Sequence, residues 1–501
     1  MATADRPGPD ALQRPIPDPP RRDDGSVDLD VLCSILSPCD LLETAAGAGW
    51  SYVVPHDGPR VVDDGRRSWL LDDRSDPVDL GWDPFAAIDH VAHQLAIGPD
   101  VAVDPALPPF PGGLLGSLSY DLARRVERLP VHAAADRDQA HVSLRVAGTV
   151  VAVPPDRDRA TVVAWTPAPA TRPPSRRVRD VLDRVAAGPR RRATATTSTS
   201  PQVIETSLTR EAYLNAVETA QAAIAAGDAF QVNVTQRLTA RFEGDVHRLY
   251  RALRTASPAA FGAALPDTGI ASISPETFLQ VGGDRVVTRP IKGTRPRSDD
   301  ARVDAALADD LVASAKDRAE NVMIVDLQRN DLGRVCRTGT VRVEELTALE
   351  AHPTVWHLTS TVAGRLQPGT GYGGLLRSTL PCGSITGAPK VAAMELIERL
   401  EPVRRGWYCG AIGFLGPGAA HLSVAIRTAT RQADGRVDYG AGGGVVADSD
   451  PAEEHAESLD KATAFLRAVQ GTRITAETRD RGSATGRATR IPAFPSSRSR
   501  R

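Results

Sequence analysis

Residues 278–291 read FLQVGGDRVVTRPI, two apolar-alternating runs hinged on Gly282, Gly283 and Asp284. This pattern predicts an antiparallel hairpin, because a parallel unit would need a long crossover at that point and not a tight turn. Strand-like and helical stretches alternate as far as about residue 470 with no repeat of solenoid period. The chain is therefore expected to build α/β or α+β layers with antiparallel strands. A length of 501 residues with 41% hydrophobic content is enough for a large core.

Composition divides the chain. Residues 1–27 are rich in Pro, Asp and Arg and are expected to be disordered, as is the basic tail 471–501. Between them, residues 28–165 read as a first α/β domain, 166–206 as a linker carrying one short amphipathic helix, and 207–470 as a second domain. That second domain opens with a helix capped by Thr209, followed by the strand FQVNVTQRLTARF, on which Gln231 and Asn233 share a face. The 60 basic and 62 acidic residues nearly balance, so no nucleic-acid or membrane partner is expected. With no long apolar stretch and no signal-like start, the protein is expected to be cytoplasmic. Five scattered cysteines fit neither a disulfide framework nor a zinc site and read as free thiols.

Only four of the basic residues are lysines: Lys292, Lys316, Lys390 and Lys461. Where arginine is the default cation, a surviving lysine marks a position that needs a compact charge or a nucleophilic amine. Lys292 lies in TRPIKGTRPR beside Arg289, Arg295 and Arg297, whose charge is expected to favour its neutral form. Glu276, in ISPETF at the end of a strand, is placed to act as a general acid. In GAGGGVVADSDPAEEHAESLDKA, Asp450 and Pro451 start a helix on which Glu454, Glu457 and Lys461 share one face, suited to Mg²⁺ and an anion beside it. The preceding glycines would let backbone amides approach a carboxylate at the helix entrance. Lys316 and Glu320 pair on a second helix, where Glu320 is a plausible third metal ligand.

Taken in order, ISPETF, PIKGTRPR, KDRAENVMIVDLQRNDLGR, HPTVWHLTSTV, PCGSITGAPK, WYCGAIGF, VAIRT and the glycine-rich helix entrance resemble the chorismate-utilising enzymes. The match is dense over 207–470 and thinner over 28–165, through LLETA and PFPGGLLGSLSYDL. The resemblance implies an α+β fold, a two-layer sandwich with large, mainly antiparallel sheets and outer helices. It implies chorismate as substrate and Mg²⁺ as cofactor, the metal held by Glu320, Glu454 and Glu457. The substrate would be held by Gln231, Ser384, Thr386, Tyr408, Arg427, Lys461 and the amides of Gly442 and Gly444. Glu276 would protonate the departing 4-hydroxyl, with His357 near the ring. LLETA resembles a tryptophan-holding segment, which would place such a site at Leu42, Glu43 and Thr44.

Two positions point to a branch. Water-adding relatives carry a lysine base where this chain has Gln231, and glutamine cannot deprotonate water, so an amine-adding reaction is implied. PIKGT, with Lys292, resembles aminodeoxychorismate synthases, whereas anthranilate synthases read PIAGT. Para amination needs two displacements, one by an enzyme lysine at ring carbon 2 and one by ammonia at carbon 4. No glutaminase segment is recognisable, so ammonia is expected from a separate glutamine amidotransferase subunit. Anthranilate synthase component I and a non-catalytic anion-binding partner are the rival readings. Thr277, Cys382 and His421 depart from the usual family residues.

Overall fold

The computed structural model describes residues 11–45, 47–72, 74–166, 173–189, 203–352 and 354–470. The expected hairpin is present. Strand Thr277–Gly282 pairs antiparallel with Arg285–Arg289, and Gly283 turns the chain at φ +59°, a conformation that glycine adopts without steric penalty. Among the described residues every strand pairing in the two large sheets is antiparallel, and each sheet has twelve strands.

The sheets face each other across an apolar layer. Tyr52 and Ala263 come to it from one sheet and Leu115 and Phe414 from the other, and Phe110 stacks on Phe414 with ring centroids 4.6 Å apart. Burying rings of this size stabilises the fold by roughly 2 to 3 kcal/mol each. Helices cover the outer faces, with Phe85, Ile88 and Leu376 packing on one sheet and Leu249, Leu253 and Phe465 on the other. The fold is α+β, a sandwich of two large antiparallel sheets with outer helices.

Two sequence expectations are corrected. Residues 11–27 are not a loose tail: Ala11–Pro15 adds an edge strand along Thr161–Trp165, and Ile16 and Val27 are buried. An edge strand tolerates the prolines that a central strand would refuse. Nor do 28–165 and 207–470 form separate bodies, since strand Cys39–Thr44 pairs with Phe261–Leu265 and Gly113–Leu118 with Ala411–Leu415. Within the segment read as a linker, helix Pro174–Ala187 packs Val178, Val181 and Val185 into the core. The tail 471–501 lies outside the described residues.

Candidate active site

Strands and helices from distant parts of the second half of the chain converge at the site. Glu276 sits in the two-residue link between strands Ile270–Ser274 and Thr277–Gly282, where Pro275 precedes it. It is 4% exposed, and burial pushes its carboxyl up to about 7, against a 2.6 Å hydrogen bond donated by Ser384 Oγ and the positive charge of Lys292. A carboxyl group poised there holds a proton at neutral pH and can give it away. Lys292 enters on strand Ile291–Pro296 at a register irregularity. Its charge bears on Glu276, Glu320 and Glu457.

The three arginines neighbouring Lys292 in sequence each face a carboxylate: Arg289 that of Glu350, Arg295 those of Asp310 and Asp317, and Arg297 that of Asp304. What surrounds the Lys292 amine is acidic.

Gln231 begins strand Gln231–Arg241 and is fully buried; its amide donates to Glu320 Oε2 at 3.4 Å. Its Oε1 has no partner among the described residues. A Cβ built on Gly444 would lie 2.1 Å from Gln231 Nε2 and 3.1 Å from Lys292 Nζ, so the amide and the amine meet over that glycine. Gly440, Gly442, Gly443 and Gly444 were expected in a loop offering amides. They lie instead within strand Arg436–Val445, paired along Gln231–Arg241. Their contribution is the absence of side chains: a Cβ at Gly440 would meet the Tyr408 ring at 2.2 Å, and one at Gly443 would meet Glu454 Oε2 at 2.7 Å.

Helix Pro451–Lys461 is capped by the Asp450 side chain, which accepts from Ala452 and Glu453 amides. On it Glu454 is buried and accepts from Ser449 Oγ at 2.7 Å, while Lys461 bonds Glu457 at 2.6 Å and the Gly442 carbonyl at 2.9 Å. Burial raises the carboxyls of Glu320 and Glu454 above the ordinary range. Glu457 is exposed on its helix and its carboxyl is held low, with the adjacent Lys461 ammonium outweighing the loss of water to neighbouring groups. The three carboxylates suit a hard divalent cation in kind. Among the described residues, however, no three metal-binding side chains stand together in a set that could hold an ion as it is. The positive charge felt by these acids comes from Lys292, Lys316 and Lys461.

Other expected substrate contacts separate into two groups. Arg427 holds φ +52°, unusual for a residue with a Cβ, and its guanidinium has no hydrogen-bond or ion-pair partner among the described residues. It lies near His357, whose ring is brought down to about 4 by burial, His352 and Arg427, and whose Nδ1 is unpartnered among the described residues. His357 is therefore a neutral imidazole. The hydroxyls of Ser384 and Thr386, expected on the substrate, are engaged within the protein. The Ser384 hydroxyl is directed to Glu276, and the fully buried Thr386 hydroxyl bonds back to the carbonyls of Cys382 and Gly383.

Sequence reasoning missed Gln328 and Ser449. Helical periodicity could have placed Gln328 on the buried face with Asn321, Ile324 and Val325; nothing singled out Ser449. Leu42, Glu43 and Thr44 line a separate cavity of about 400 Å³ between the sheets, together with Trp50, Tyr52, Phe414 and His421. The Glu43 carboxylate there is engaged by Arg157, Tyr250 and Arg254.

Residues 70–467 match the family described as chorismate binding enzyme. Over 365 residues, 72% of this chain and 78% of the relative, the sequence is 41% identical to aminodeoxychorismate synthase component 1 of Klebsiella aerogenes. Over 417 residues, 79% of each, it is 40% identical to anthranilate synthase component 1 of Streptomyces coelicolor. The solved anthranilate synthase component I of Streptococcus pneumoniae superposes with a TM-score of 0.72 at 28% identity, covering 83% of this chain and 92% of that one. Identity does not separate the two activities. With its fold, its ordered motifs and a match over most of its length, the chain belongs to the chorismate-binding enzyme family.

Proposed function

We propose that this protein is the synthase component of an aminodeoxychorismate synthase, converting chorismate and ammonia to 4-amino-4-deoxychorismate and water. The observation that carries the reading is the placing of the Lys292 amine: it bears on both Glu276 and Glu320 and reaches the floor of the site at Gly444, with no hydrogen-bond or ion-pair partner of its own beyond these charge interactions among the described residues. A lysine so placed can form a bond to ring carbon 2 as the 4-hydroxyl leaves with the double bond shifting, and Glu276 gives that hydroxyl its proton. Ammonia then bonds to carbon 4 and the lysine nitrogen departs from carbon 2, which restores the enzyme. The unpartnered Gln231 Oε1 can accept a hydrogen bond from ammonia, and a carboxamide has no basicity with which to activate water.

Arg427 would take a substrate carboxylate in a bidentate pair. Glu320, Glu454 and Glu457 would hold Mg²⁺, which when bound would neutralise the other carboxylate. Ammonia would come from a glutamine amidotransferase partner. The test is product identification with chorismate, Mg²⁺ and ammonium. Aminodeoxychorismate supports the reading, and fluorescent anthranilate overturns it. Lys292→Arg keeps the charge and removes the nucleophile, so the para product is expected to fall below detection; wild-type turnover in that variant would refute covalent catalysis.

A further inference from the structure

Behind Glu276 stands a chain of three buried side chains that no step above requires. Gln328, on helix Ala315–Gly333, donates from Nε2 to Cys382 Sγ at 3.2 Å. Cys382 Sγ lies 3.3 Å from Ser384 Oγ, and Ser384 Oγ donates to Glu276 Oε1 at 2.6 Å. All four residues are at most 7% exposed. The helix approaches this turn so closely that a Cβ on Gly383 would fall 2.6 Å from the Leu327 side chain, which brings Gln328 within reach of the thiol.

The order of donors and acceptors along this chain is not free. An amide N–H can only donate, so the sulfur accepts from Gln328, and an ionised Glu276, which can only accept, takes the single Ser384 hydroxyl hydrogen and leaves Ser384 Oγ to accept from the Cys382 S–H. Burial raises the thiol to about 11, so the hydrogen is present at any working pH. With the S–H directed at Ser384 Oγ, the one hydroxyl hydrogen of Ser384 is left for Glu276. Each bond polarises the next, and the last reaches the carboxyl oxygen as a strengthened donor. The other charged or titratable groups that face Glu276 are Lys292, from strand Ile291–Pro296, and the thiol itself, with the Ile291 amide as a further donor.

We propose that Cys382, oriented by Gln328, is a positioning residue that fixes the Ser384 hydroxyl as a donor to Glu276 and thereby sets the proton affinity of the acid. A donor to the carboxylate favours its ionised form and opposes burial, so the relay keeps Glu276 able to release its proton near neutrality. Without the thiol, Ser384 can turn to accept from a protonated Glu276, and the acid holds its proton more tightly.

The proposal rests on the reading of Glu276 as the proton donor, and the two are tested separately. The ligand-free full chain, labelled at glutamate ¹³Cδ, is titrated by NMR between about pH 5 and 9, with the Glu276 signal assigned by Glu276→Gln. In Cys382→Ala the Glu276 midpoint should rise by roughly half a pH unit or more. Gln328→Leu should move it the same way by less, and Cys382→Ser, which keeps a donor and an acceptor at that place, should stay near wild type. An unchanged midpoint in Cys382→Ala, or a shift in Cys382→Ser as large as in Cys382→Ala, overturns the relay. If Cys382→Ala fails to fold, Gln328→Leu decides: a raised midpoint supports the relay and an unmoved one refutes it. Because this titration needs no substrate, a chain that makes anthranilate but titrates as stated would sink the reading of function and leave the relay standing. A chain that makes aminodeoxychorismate with an unmoved midpoint would do the reverse. In the active enzyme the falling high-pH limb of kcat/KM should move with the NMR midpoint.

Discussion

Glu276 concentrates the chemistry in a single proton. Its carboxyl is raised from the ordinary value to about 7, chiefly by burial, so the acid form that catalysis needs is populated below that pH. The rate, measured as kcat/KM in a series of buffers, is expected to fall as pH rises through about 7. The sign for stability is the same: a group with a raised folded value favours the fold fully below its unfolded value and loses that contribution as pH passes the folded one. Glu276→Gln should lower kcat by roughly 10² to 10⁴ without unfolding the chain, as followed by product assay and circular dichroism. Lys390 acts at the same scale for a structural reason. Its amine bonds the fully buried Asp331 carboxylate at 2.5 Å and the Thr379 carbonyl at 3.2 Å, in a space that suits a compact ammonium. Removing it leaves Asp331 with Arg334 alone, and Lys390→Ala should destabilise the protein by about 3 kcal/mol in a denaturant melt. The sequence marks Lys390 as scarce but not why it is lysine, because the burial of Asp331 inside the run RND has no local signature.

At the scale of elements, strand Arg436–Val445 shows how a run of glycines can be functional without being a loop. Gly444→Ala would drive a methyl group into the Gln231 amide, and activity should fall at least tenfold while the melting temperature moves little; a near-wild-type rate would show that the strand can yield. The helix caps at Thr209 and Asp450 and the hairpin at Gly283 are local, and all three were legible. Strand Arg436–Val445 was not, since glycine disfavours strands and only the ten-residue pairing with Gln231–Arg241 makes it one. Strand Ala11–Pro15 was hidden for a related reason: its partner lies near residue 163, and composition does not report a distant edge. Sequence singled out Glu276, Glu320, Glu454, Glu457, Lys292 and Lys461 by type and spacing, and in the structure their charges bear on one another. The role of Ser384 was not legible, because its hydroxyl is directed to Glu276, 108 residues away in sequence.

At the scale of the whole molecule, each sheet is woven from both halves of the chain. Residues 207–470 expressed alone should lack a cooperative thermal transition, and co-expression with 1–189 should restore one; a sharp melt of the fragment by itself would contradict the shared core. This weaving also sets a timetable for synthesis. Strand Gly113–Leu118 emerges about three hundred residues before its partner Ala411–Leu415, which at roughly 5 to 20 residues per second is a wait of about 15 to 60 s. During that interval its unpaired edge is open to other nascent chains, so yield in the cell should depend on chaperones and growth temperature more steeply than the stability of the finished protein would suggest.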